Sequence, residues 1–309
     1  LSKPGAPGKK RIFRSGFIVL VGKPNTGKST LLNCMVGRKV AIISSHPQTT
    51  RQRVIGVRNG PGFQIVLVDT PGFYEPKHAL GRLMRKSAQD ETEGADLILF
   101  MADASFPPGK EDLAVAEHLF DKGAAGIKSV FLVLNKMDLI SASVLKQRVE
   151  QYSAIGKFQK VFSISCVSGK NIGELFETLI ATLSEGPAYY PEDAVTDQDE
   201  RTMIREIIRE KILQVTRQEV PHSVAVEVEE MRPAAGKEMA YIRAEAFVEK
   251  DSQKGILVGA GGKRLKLIST NARKDIEKLL GEKVFLDIWV KVKPDWRDRE
   301  DVLRSWGYE

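Results

Sequence analysis

The chain has 309 residues, 42% of them apolar and 28% charged, a balance that excludes a disordered or low-complexity chain. At about 100 to 200 residues per domain, the length suggests two domains. Lys and Arg number 47 against 40 Asp and Glu, so the formal charge is +7 with a pI near 9.2, which makes a polyanionic partner worth testing. Cys34 and Cys166 are the two cysteines; neither has metal-ligand or redox spacing, so the chain reads as reduced and intracellular. The most apolar stretches, 95–102 and 130–134, fall short of the ~20 residues of a membrane span. Residues 1–15 are basic (Lys3, Lys9, Lys10, Arg11, Arg14) without an apolar core, so they read as a basic N-terminal segment and not as a secretory signal.

From residue 17 onward, short β-branched runs alternate with segments of helical spacing, the pattern of a parallel sheet covered by helices. Strands are expected at 17–21, 65–69, 96–102, 130–135 and 161–165, with an edge strand at 54–58. The intervening helices should begin near Lys28, Ala79, Gly109, Ser143 and Asn171. Together 16–185 form a doubly wound α/β domain. Residues 186–198 contain two prolines, several acids and no apolar period, so they read as a linker. Residues 199–309 follow another pattern. A helix is expected at 201–217, strands at 224–228 and 241–248, then a short helix, the glycine cluster 259–262, a helix at 263–280 and a strand at 284–292. Mixed helices and antiparallel strands make this half α+β.

Residues 22–29 read Gly-Lys-Pro-Asn-Thr-Gly-Lys-Ser between a strand and a helix. This is the G-x-x-x-x-G-K-S phosphate loop in its required context. Backbone amides and the helix N-terminus would face phosphate oxygens, so Gly22, Asn25, Thr26, Gly27, Lys28, Ser29 and Thr30 are the expected phosphate contacts. Lys28 would reach the β and γ phosphates, and Ser29 would ligate Mg2+. Asp69-Thr70-Pro71-Gly72 ends the 65–69 strand; Asp69 can hold a magnesium-bound water and the Gly72 amide can sense the γ phosphate. Between the two motifs, Gln48, Thr49, Thr50 and Arg51 form a polar loop in which Thr50, ahead of Thr49, would complete the magnesium shell. Asn135-Lys136-Met137-Asp138 follows the 130–134 strand. The Asp138 carboxylate can accept two hydrogen bonds from guanine, whereas adenine lacks that donor pair, so Asp138 selects GTP and GDP over ATP. Asn135 and Lys136 would brace the base and the phosphate loop, and the backbone at Ser165 and Cys166 would meet the guanine oxygen. His46, His78, His118 and His222 stand singly and have no ligand spacing.

The motifs GKPNTGKS, QTTR, DTPG, NKMD and SC, in this order, resemble the translation-factor-related P-loop GTPases, and their spacing resembles the Era family. Where Ras-like enzymes carry a water-orienting glutamine after the DxxG glycine, this chain has Phe73, and a phenyl ring can neither orient nor polarise water. In such relatives a phosphate-loop asparagine helps bind K+, and Asn25 stands at the matching position; whether it does so here or only shapes the loop stays open. In the second half, Gly259, Ala260, Gly261 and Gly262 fit a G-x-x-G loop that lets a nucleic-acid backbone approach. Lys254, Lys263, Arg264, Lys266, Arg273 and Lys274 surround it. GILVGAGGKRLKLIST and the sequence after it resemble the type II KH domain of Era, although Ala260 and Gly261 stand where relatives commonly have lysine. Lys263 and Arg264 could compensate. Trp289 and Trp296 are read as packing residues ahead of base-stacking platforms.

The resemblance implies a GTPase that binds the 3′ end of small-subunit (16S-type) ribosomal RNA, assists assembly of the small ribosomal subunit, and works as a cytoplasmic monomer. The alternative is a switch at a protein or membrane surface, with the second half as its platform. The inner face of the cell membrane is then the second location, ahead of an organellar matrix.

Overall fold

The computed structural model describes residues 13–73, 76, 78–120, 129–233 and 239–308, so most of the basic N-terminal segment lies outside the described residues. The first half is built on a six-stranded sheet. In chain order its elements are β1 (Arg14–Val21), α1 (Lys28–Val36), β2 (Val54–Gly60), β3 (Phe63–Asp69), α2 (Ala79–Glu93), β4 (Leu97–Asp103), α3 (Lys110–Phe120), β5 (Val130–Asn135), α4 (Ala142–Ser153), β6 (Lys160–Ser163) and α5 (Ile172–Thr182). The strand order is β2-β3-β1-β4-β5-β6, and every pairing is parallel except β2 with β3. The near-continuous apolar runs of β1, β3, β4 and β5 follow from this, because helices cover both faces. One face packs Ile18, Leu20, Leu67 and Leu99 against α1 and α5; the other packs Val19, Val68, Phe100 and Leu132 against α2 and α3. Each such buried side chain contributes about 1.5–3 kcal/mol.

The second half comprises α6 (Glu200–Val215), α7 (Val220–Ser223), β7 (Ala225–Arg232), β8 (Ala240–Val248), α8 (Asp251–Val258), α9 (Lys263–Leu280), β9 (Val284–Val292) and α10 (Glu300–Ser305). Its sheet runs β7-β8-β9, with β7 antiparallel to β8 and β9 parallel to it. The expected pairing of 241–248 with the 224–228 strand is thus present and antiparallel, whereas the 284–292 strand joins the sheet in parallel. Two helices separate β8 from β9, and such a crossover returns the chain in its original direction. Ile204, Ile208, Ile268 and Ile276 pack on the inner sheet face. Trp296 is fully buried, its Nε1 donating to the Ser223 carbonyl at 2.9 Å. Trp289 lies on the outer sheet face, 54% exposed, and is therefore not a packing residue.

The stretch read as a linker follows a fixed path along the edge of the first sheet. The buried Gln64 amide accepts from the Tyr189 and Tyr190 N–H groups at 2.7 and 2.9 Å and donates to the Tyr190 carbonyl at 2.8 Å. Val57 N–H then donates to Val195 O at 2.8 Å. Among the described residues no helix is long and apolar enough to cross a membrane.

Candidate nucleotide site and nucleic-acid interface

β1 delivers the phosphate loop to the N-terminus of α1, where Gly27 has a left-handed φ of 98°. A Cβ there would stand 2.2 Å from Asn135 Nδ2, so only glycine lets the two motifs approach. Asn135 joins three segments: Nδ2 donates to Thr26 O at 2.9 Å, and Oδ1 accepts from Cys166 N–H at 3.1 Å. That amide, expected to meet the guanine oxygen, is therefore already engaged by Asn135. Thr26 closes the loop through Oγ1 on Lys23 O at 3.1 Å. Thr30 lines the same cleft as Asn25, Lys28, Gln48, Thr49 and Gly72.

Lys28 is buried, with Nζ on the carbonyls of Gly22 and Lys23 at 3.0 and 3.1 Å. Burial pushes its ammonium pKa down to about 8, against the opposing pull of Asp69. Asp69 is buried at the end of β3. Burial pushes its carboxyl pKa up, while Lys28 and hydrogen bonds from Ser29 and Thr50 hold it back. Its Oδ2 accepts from Ser29 Oγ at 2.5 Å and Thr50 Oγ1 at 3.1 Å; the two hydroxyls are 3.0 Å apart. Asp69 Oδ1 is buried and has no hydrogen-bond partner among the described residues. These hard oxygens, with one orphaned carboxylate atom, fit a magnesium ion and its water.

Thr70 turns away from the cleft, its Oγ1 on Leu20 O at 2.8 Å. Pro71 and Gly72 are buried next to it, and a Cβ on Gly72 would meet Pro24 N at 2.7 Å. Phe73 donates its N–H to Gly22 O at 3.2 Å and buries its ring 5.2 Å from the His118 ring. Asn25 takes a φ of 63° and donates Nδ2 to Ser45 O at 2.8 Å. Lys136, at φ 64°, pairs with Asp103 at 2.6 Å. Asp138 is exposed, and its charge adds to the effect of burial and of Cys34 in pushing the Cys166 thiol pKa up.

Gly259 to Gly262 make a tight turn between α8 and α9, with φ of 56° at Gly261 and 74° at Gly262. Among the described residues nothing lies within 4 Å of a Cβ built on either of these two. Lys263, Lys266 and Arg273 are exposed, as are Lys254 and Lys274. Arg264 is committed elsewhere, its Nη1 bonding to the Ile256 carbonyl. Two residues that sequence reasoning passed over flank the turn: Ile256 and Leu267 are apolar and exposed, and only three-dimensional placement distinguishes them from core.

The segment carrying Gln48 to Arg51 is also seated in the second half. Arg51 is buried; Nη1 donates to Val224 O at 2.7 Å and Nη2 to the Pro221 and His222 carbonyls at 3.3 Å. Arg209 bonds the Thr49 carbonyl, and Ile42 joins the second-half core. The N-terminus of α2 is held likewise, since Ala79 N–H donates to Asp298 Oδ1 at 2.9 Å. None of these contacts has a local sequence signal.

The family model described as 50S ribosome-binding GTPase matches residues 17–136, and that of the KH domain matches 219–297. GTPase Era of Heliobacterium modesticaldum is 47% identical over 298 residues, covering 96% of this chain and 98% of the relative. That of Alkaliphilus oremlandii is 46% identical with 96% and 99% coverage. Two crystal structures superpose with a TM-score of 0.90 at 40% identity, covering 96% of this chain and 99% of theirs. One is an Aquifex aeolicus Era variant bound to GDP and aluminium tetrafluoride; the other is Era with MgGDPNP and nucleotides 1506–1542 of 16S ribosomal RNA. With identity at this level across nearly the whole chain, and with both halves matched, the chain belongs to the Era family of GTPases.

Proposed function

We propose that this GTPase is a nucleotide-controlled RNA binder that engages the 3′ end of small-subunit ribosomal RNA during assembly of the small ribosomal subunit. In this reading residues 16–185 hold the nucleotide, 186–198 form a strap, and 199–309 hold RNA. Lys28 and the loop amides of 22–29 bind the phosphates, and Gly72 reports on the γ phosphate. Ser29, Thr50 and Asp69 hold Mg2+, which when bound neutralises charge on the β and γ phosphate oxygens. Asp138 selects guanine, with Lys136 held in place by Asp103. The loop 259–262 admits the RNA backbone between Lys263, Lys266 and Arg273. A ribosomal partner puts this work in the cytoplasm, and a single chain carries both sites.

One observation supports the switch: Thr50 donates to the Asp69 carboxylate while its neighbour Arg51 is buried against the second half. A γ phosphate that draws Thr50 inward must therefore strain or relax the seat of Arg51. Reciprocity then requires RNA to change nucleotide affinity by the same factor. The test measures binding of a single-stranded RNA from the small-subunit 3′ end with a non-hydrolysable GTP analogue and with GDP, in the wild type and in Gly261→Asp. Tighter binding with the analogue, lost in the variant with GTP affinity intact, is the expected result. Equal RNA affinities in both states refute the coupling, and an unaffected variant refutes the RNA site. Flotation with anionic vesicles tests the membrane alternative.

A further inference from the structure

Lys23 is the second residue of the phosphate loop, and its side chain leaves the loop for α3. Its Nζ lies 2.8 Å from Oδ2 of Asp112, whose carboxylate is fully buried. The same oxygen accepts from Gly109 N–H at 2.9 Å and lies 3.4 Å from the hydroxyl of the buried Tyr152. Asp112 Oδ1 has no partner, so the lysine supplies the only opposite charge that the carboxylate meets among the described residues. Such a carboxylate is costly to bury unpaired, which holds the pair in one geometry.

The backbone of Lys23 has a second task. Its carbonyl accepts from both Lys28 Nζ and Thr26 Oγ1, each at 3.1 Å. Pro24 follows and limits the backbone freedom of Lys23. Fixing the Lys23 side chain on α3 therefore fixes the carbonyl that aims the Lys28 ammonium.

We propose that the Lys23–Asp112 ion pair is a positioning device for GTP hydrolysis, setting the place of Lys28 relative to the phosphates through the Lys23 carbonyl. The inference rests on the reading of residues 22–29 as the phosphate site. Charge on the bridging phosphate oxygen grows toward the transition state, so a displaced ammonium weakens that state more than the bound substrate. A displacement of about 1 Å can cost up to about 100-fold in rate. The loss should therefore fall on kcat more than on KM.

The test is steady-state GTP hydrolysis by the full chain carrying Lys23→Met, Asp112→Asn, both together, or Lys23→Arg, with thermal melts to establish folding. Each single loss is expected to lower kcat about tenfold with KM within about threefold. The double variant should be no worse than the poorer single one, because the two residues act as a unit. Lys23→Arg, which keeps the ion pair, should recover most of the rate. Unchanged kcat in a folded single variant, additive losses, or no recovery with arginine would overturn the proposal. So would failure of both single variants to fold, since the pair would then serve the fold alone. Lys28→Ala run in parallel separates the two levels: retained GTP binding there refutes the phosphate site itself, whereas silent Lys23 and Asp112 variants refute only the positioning role.

Discussion

Arg51 donates through Nη1 to the carbonyl of Val224 at 2.7 Å, a bond between residues 173 apart that crosses from the nucleotide half to the KH half. The guanidinium also sits 5.6 Å from the centroid of the Trp296 ring. Burial lowers its pKa, with Tyr308 opposing this and Arg209 adding to it. The cation is held by three carbonyl oxygens and an aromatic face.

Arg51→Met should therefore leave the Val224, Pro221 and His222 carbonyls buried with a lost donor. We expect a loss of about 2–3 kcal/mol of stability and a collapse toward one of the ratio of RNA affinities between the two nucleotide states. Thermal melts and RNA titrations measure the two effects. A destabilised variant that keeps the full ratio would show that coupling runs elsewhere, through the Asp298 cap on α2.

Asp138→Asn should weaken GTP binding by roughly 100-fold or more, because a site built for two guanine donors is left mispaired. The amide can donate to the oxygen that replaces the guanine amino group in xanthine, so xanthosine triphosphate should bind better than it does to the wild type. Titration with both nucleotides decides the matter, and unchanged GTP affinity would remove Asp138 from the base site.

The local part of this structure was legible in the sequence. The helix at Lys263–Leu280 and the strand at Val284–Val292 fall where apolar spacing and flanking glycines place them, and Ser29, Thr50 and Asp69 converge as their motifs require. Arg51 shows the limit. The sequence places it only in a polar loop, yet it is buried by contacts with residues 221–224 that no spacing rule connects to it. Gln64 is similar, since a glutamine within a strand gives no sign that its amide will clamp residues 189 and 190. Trp289 fails for the opposite reason: alternation shows that strand residues take opposite faces but leaves open which face is covered.

Glu227 gives the pH test. Burial pushes its carboxyl pKa up to about 7; Arg205, 3.5 Å away, opposes this, and Glu206 and Glu229 add to it. An unfolded glutamate titrates near 4.3, so between about pH 4.3 and 7 the native protein holds a proton that the unfolded chain has released. The group's contribution to stability therefore falls as pH rises through that window, and the penalty is complete above about pH 7. Glu227→Gln carries no such penalty. At pH 8 it should be more stable than the wild type by about 2 kcal/mol, with the gap closing toward pH 4. Denaturant midpoints across this range measure the gap, and a constant difference would assign the slope to other groups.

The last expectation concerns the monovalent cation. Asn25 commits its amide nitrogen to Ser45 O, which leaves Oδ1 at an exposed turn of the phosphate loop as a hard oxygen donor. Phe73 supplies no charge to the transferred phosphoryl group, and its ring is buried against His118. A positive charge beside the phosphates would supply what Phe73 cannot, acting where negative charge develops in the transition state. Hydrolysis should therefore run at least about tenfold faster in potassium than in sodium at equal ionic strength, a difference of about 1.4 kcal/mol in barrier. Asn25→Ala should remove that difference while GDP affinity changes by less than about threefold, because GDP lacks the γ phosphate the cation would serve. Equal rates in the two salts would leave Asn25 as a residue that shapes the loop and tethers it to Ser45.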